Sequence, residues 1–173
     1  MKPSTPFPEI ILAAWNTDNR VTTFLVENLP GELWPAAIPG IPRRTFRAIA
    51  SHIHNARCRW VKTLGQPHGI VPPPMVDRYS VQRRQLVAAL NRSSDAVERL
   101  LLFGCEHDGQ IPPTSKYVWR NLPLDVGHVL AYLVAHEGHH RGQIVMAARQ
   151  LGHPLPTSVT AGLWQWTRLS KER

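Results

Sequence analysis

Residues 136–140 read His-Glu-Gly-His-His. His136 and His140 stand four residues apart, so on a helix both imidazoles project from one side and can grip a single metal ion. The run also spells H-E-x-x-H, in which two helical histidines bind zinc and the glutamate acts as general base for peptide hydrolysis. The candidates are therefore His136 and His140 as ligands and Glu137 as a catalytic base.

A zincin must also supply a third ligand and a cleft. The longer metzincin pattern requires Gly three residues after the second histidine and His three beyond that, where this chain has Gln143 and Met146. The glutamate type requires a downstream Glu, and the only one after Glu137 is Glu172, at the tail. No convincing strand is present to hold an extended peptide. A protease is thus disfavoured, and the histidine pair needs another partner.

The elements that must position these residues are helical. Four amphipathic segments are separated by proline-rich loops, and no alternating apolar run argues for a sheet. They are predicted at about residues 7–28, 44–64, 77 or 80 to 103, and 124–151, with Asp77 or Ser80 as the cap of the third and Gly65, Gly104 and Gly152 as stops. Ser158 is placed to cap a short C-terminal helix, with Trp164 and Trp166 packing the end of the domain. Four long helices in 173 residues predict an all-α fold, one four-helix-bundle domain with a short C-terminal helix.

Helix geometry then says where the histidines face. With His136 at zero and about 100° per residue, Val129 and Ala147 fall near 20°, His140 near 40°, Leu133 near 60° and Ile144 near 80°. His136 and His140 therefore lie within the apolar stripe, whereas His128 and His139 point away. A buried imidazole left unpaired costs on the order of 1–3 kcal/mol, and a shared metal satisfies two at once. The alternative is a pair of core histidines hydrogen-bonded to neighbours.

Further ligands should come from the inward face of another helix. In the second segment His52 borders the stripe of Phe46, Ile49, Ile53, Ala56, Trp60 and Leu64, whereas His54 is turned roughly 110° beyond its centre. His52 is the better third ligand by a small margin. Three imidazoles plus water is the pattern of an open, reactive site. Glu137 falls at the flank of the stripe, placed either to take a proton from a metal-bound group or to pair with Arg141 at i+4.

Composition bounds the partners. The formal charge of +8 raises the question of nucleic acid, but the basic residues are scattered and no nucleic-acid module is present, so solvated helix faces explain them better. No stretch approaches the roughly 20 apolar residues of a membrane span, and the first residues lack a hydrophobic signal core, so a cytoplasmic protein is expected. Cys58 and Cys105 are far apart and are expected as free thiols of a reducing compartment.

With these residues assembled, the chain resembles the DinB/YfiT-like superfamily of metal-binding helical bundles over nearly its whole length. The strongest element is residues 136–152, HEGHHRGQIVMAARQLG, similar to that family's H-x-x-x-H followed by R-G-Q; residues 51–65, SHIHNARCRWVKTLG, support it, as does the Gly-Leu-Trp-Gln-Trp stretch at 162–166. The resemblance implies an up-down-down-up bundle, a homodimer in many members, and metal ligands at His52, His136 and His140. It further implies Zn or Ni as the ion, and a thiol S-transferase or related enzyme acting on a small molecule with a low-molecular-weight thiol as cosubstrate. The rival expectation is a non-catalytic metal-binding or stress-response protein.

Overall fold

The computed structural model describes residues 6–115, 117 and 121–172. The stretch 1–5, which bears on the expected absence of a signal core, and part of the loop between the third and fourth predicted helices lie outside them. The described residues are helical: α1 (Phe7–Glu27), α2 (Phe46–Trp60), α3 (Arg83–Glu106), α4 (Val126–Gln150), and the short α5 (Thr157–Gly162) and α6 (Trp166–Leu169). Among them the only β features are two isolated bridges, Ala37 to Thr45 and Gln110 to Asp125.

Local chemistry sets the ends. Thr45 caps α2 by accepting from the Ala48 amide at 3.1 Å, and Asp125 caps α4 by accepting from the His128 amide at 3.0 Å. The third helix starts later than Asp77 or Ser80, because the Asp77 carboxylate accepts from the Tyr79 amide and the Ser80 hydroxyl and closes a separate turn. Gln82 and Gln85 then form a reciprocal capping box. Nor does α3 stop at Gly104: a methyl there would sit 2.6 Å from Val126 Cγ2 and 2.9 Å from Ile111 Cγ1, so the glycine serves close packing inside the helix. Past Trp60, α2 widens into a π turn over Val61–Gly65.

α1 packs on α3 and α4, and α2 packs on the same two. Two apolar clusters fill the interior. One gathers Leu25, Phe46, Ile49, Ile53, Leu86, Leu90, Ile144 and Ala147; the other gathers Ile11, Trp15, Val61, Leu64, Val97, Leu100, Val126 and Leu133. Early α2 thus meets late α4, and the end of α2 meets early α4, so the two helices run in opposite directions. Between the clusters, buried Asp18, Thr22, Arg57, Glu137 and Arg141 form a polar layer.

The C-terminal aromatic pair departs from expectation. Val159 and Leu169 are buried, but Trp164 is 81% exposed and Trp166 39% exposed. Two short helices replace the single predicted one, α5 begins at Thr157 rather than after Ser158, and the turn between them throws both indoles outward.

Candidate metal centre

The antiparallel crossing of α2 and α4 sets the site. Ile49 and Ile53 dock against Ile144 and Ala147, which carries His52 to the level of His136 and His140. The ring centroids are 5.3 Å apart for His52 and His136, 4.6 Å for His52 and His140, and 4.5 Å for His136 and His140. One nitrogen from each ring lies within 4.8 Å of the others, and this is the only group of three or more His, Cys, Asp or Glu among the described residues that could hold an ion. Nitrogens about 2.1 Å from a tetrahedral ion stand roughly 3.4 Å apart. The His136 and His140 Nε2 atoms are 3.2 Å apart, close to that spacing.

The imidazoles are held in the form a metal needs. Burial lowers the pKa of all three; that of His52 falls to about 4, with the neighbouring His140 and His136 adding to the effect of burial. Neutral rings offer lone pairs at neutral pH. Gln143 selects which nitrogen of His140 carries one. Its amide nitrogen faces His139 Nε2 at 2.9 Å and its oxygen faces His140 Nδ1 at 2.9 Å, so Nδ1–H of His140 donates outward and Nε2 keeps its lone pair for the centre.

Glu137 is not brought into the group. Arg57 Nε donates to its Oε1 at 2.6 Å, Arg57 Nη2 donates to Oε2 at 2.6 Å, and the Thr22 hydroxyl donates to Oε2 at 2.8 Å. The carboxylate is 1% exposed, with Arg141 Nη1 a further 3.8 Å away. Arg57, Thr22 and Arg141 hold it ionised below the usual carboxylate range despite complete burial. It is a core ion-pair residue, and its carboxylate is not among the donor atoms that the triad brings together.

His54 is also separate. It is fully buried with Nε2 donating to the Pro74 carbonyl at 3.0 Å, which ties the 66–76 loop to α2 beside the Asn55 and Val76 pair. His139 and His128 are exposed, as expected, and bind Gln143 and Asp125. Arg141 turns inward to Asp18 at 2.7 Å and to the Thr22 hydroxyl at 2.6 Å.

A family model described as the DinB family matches residues 3–168. The chain belongs to the DinB family. Comparison with curated proteins finds no match. In this DinB chain the H-x-x-x-H pair and the distant His52 therefore meet at one point, and the glutamine of R-G-Q orients one of them. Sequence reasoning missed Arg57, Asp18 and Thr22, although their positions carried a signal. Arg57 stands at i+8 from Ile49 and i+4 from Ile53, while Asp18 and Thr22 interrupt the stripe Ile11, Trp15, Leu25. Polar residues on an apolar stripe must find partners inside.

Proposed function

We propose that this DinB protein is a divalent-metal-dependent enzyme of thiol S-transferase or related type, built as an up-down-down-up four-helix bundle and acting as a cytoplasmic homodimer. The observation that carries it is the convergence of three neutral imidazoles from two helices. His52, His136 and His140 would hold Zn or Ni, leaving coordination positions for an exogenous group. The bound ion would supply a Lewis acid that lowers the pKa of a thiol reaching it.

The protein's own thiols support an external cosubstrate. Burial raises Cys58 to about 11, and Cys105 is also shifted upward by burial, so neither is an activated nucleophile at neutral pH. Within the site, His140 is buried while His52 and His136 keep open edges, the balance expected of a centre that small molecules enter. No helix of the described residues is long and apolar enough to cross a membrane.

The first experiment is elemental analysis of protein made without a His tag. About one equivalent per chain is expected, lost in His52→Ala. Turnover with glutathione, bacillithiol or mycothiol and an electrophilic acceptor then tests the chemistry; metal without turnover by any thiol would favour a non-catalytic metal-binding protein.

A further inference from the structure

A second concave surface lies between the end of α1, the turn at residues 31–34 and the start of α3. This open hollow holds about 590 Å³, within the roughly 300–1,000 Å³ of small-molecule sites. None of its lining residues belongs to α2 or α4, so it shares no wall with His52, His136 and His140. Gly31, Trp34, Arg83, Arg84 and Val87 build most of its surface.

Arg83 departs from the solvated charge that composition alone suggests. It is half-buried, its Nε is buried with no hydrogen-bond partner, and it forms no ion pair with any described carboxylate. Elsewhere in this chain a guanidinium taken out of water meets an acid, Arg57 with Glu137 at 2.6 Å and Arg141 with Asp18 at 2.7 Å. Two other lining residues locate the Arg83 guanidinium. Its carbon lies 5.9 Å from the centroid of the Trp34 ring, and a methyl on Gly31 would sit 3.9 Å from its Nη2. Trp34 is a fixed floor, buried, with its indole N–H donating to the Val81 carbonyl at 3.2 Å. The nearby polar groups are already engaged: Arg20 holds Glu27 at 2.8 Å, and the Gln82 side chain caps α3. Exposed Arg84 adds a second cation without an ion pair to any described carboxylate.

We propose that this hollow is a second ligand site that takes a small organic anion. A carboxylate or phosphate monoester is held by Arg83 and Arg84, and a compact apolar body lies against Trp34 and Val87. An oxyanion supplies the acceptor that the buried Nε lacks. The Nε and Nη2 edge of a guanidinium meets such a group with two parallel hydrogen bonds, as the same edge of Arg57 grips Glu137. Gly31 has no side chain to cover the Nη2 end of that edge. The site is independent of the metal-centre reading and stands or falls without it.

The test titrates phenyl phosphate, benzoate, neutral benzyl alcohol and cationic benzylamine into the full chain labelled with a nitrogen isotope. Nuclear magnetic resonance follows the Arg83 Nε–H and the Trp34 indole N–H, assigned by their loss in Arg83→Lys and Trp34→Phe. Both anions are expected to shift both signals saturably and to bind at least about tenfold tighter than benzyl alcohol, the range of a charge-assisted contact. Benzylamine should not bind. Arg83→Gln should remove the advantage of the anions, and Arg84→Ala should reduce it by a smaller factor. Gly31→Asp keeps Arg83 and places a carboxylate beside its Nη2, so it should abolish anion binding without lowering the melting temperature. That variant decides the matter if Arg83→Gln folds poorly. The absence of a saturable shift with both anions would overturn the proposal. So would benzylamine binding as tightly as the anions, or anion binding unchanged in Arg83→Gln or in Gly31→Asp.

Discussion

Gln143 accepts a hydrogen bond from His140 Nδ1 at 2.9 Å, and its own amide nitrogen is anchored on His139 one turn earlier. The exposed histidine of the H-E-x-x-H run thereby fixes the tautomer of its buried neighbour. Outer partners of this kind are worth about ten- to hundredfold in metal affinity. Gln143→Leu should weaken binding by that factor, read by competition with a chromophoric chelator. Gln143→Glu, which keeps an acceptor, should stay within a few-fold of the unmodified protein. Unchanged affinity in the leucine variant would remove Gln143 from the centre.

Glu137 gives a contrasting case, because its removal should damage the fold and spare the site. Breaking a buried bidentate pair leaves Arg57 charged and uncompensated in the core, beneath the Trp15 ring at 4.7 Å. Such losses are about 3–5 kcal/mol, and a domain of this size melts about 2–4 °C lower per kcal/mol. Glu137→Gln should therefore melt roughly 6–20 °C lower and still bind one metal per chain. Loss of turnover at unchanged melting temperature would instead restore the glutamate as a base.

The difference between these residues marks what was legible in the sequence. Spacing along one helix is periodic, so the projection of residues 124–151 put His136 and His140 inward and His128 and His139 outward, as found. Four long helices and their loops were equally visible. The Arg57 to Glu137 pair spans 80 residues, and nothing local specifies it. Composition reports only the charge of Arg57, whereas its position on the Ile49 and Ile53 stripe was the better guide. Helix ends moved where tertiary contacts intervened: Gly104 lies beneath Val126, and Asp77 closes its own turn. Trp164 and Trp166 were expected to pack the end of the domain, and the break between α5 and α6 sets them outside.

Asp18 makes the polar layer sensitive to pH. Burial and the nearby Glu137 charge raise its pKa to about 7, against the lowering effect of Arg141 and Arg57, and its Oδ2 is buried without a partner. Its folded pKa lies above the unfolded value, so it stabilises the fold at low pH. That contribution is full below about pH 4 and is lost as pH rises to about 7, beyond which it changes no further. Asp18→Asn should flatten this part of the profile, measured by urea unfolding between about pH 5 and 8 in the metal-free protein. A decline of equal slope in the variant would assign the effect to another group.

His54 supplies the sharpest control, because His52 and His54 differ by two positions and the sequence separated them only by a margin in angle. Two residues on a helix are roughly 200° apart, so one imidazole faces α4 and the other must face elsewhere. His54 faces the 66–76 loop, where it donates to Pro74, and burial lowers its pKa so that it stays neutral. His54→Ala removes that bond and opens a cavity beside Cys58, whose sulfur lies 3.5 Å from the ring. A loss of about 2–4 kcal/mol is expected, the range for a buried hydrogen bond together with side-chain volume. Metal content should remain at one per chain, in contrast to His52→Ala, which should lose the metal with little change in metal-free stability. If elemental analysis showed His54→Ala depleted and His52→Ala loaded, the two histidines would have to exchange roles.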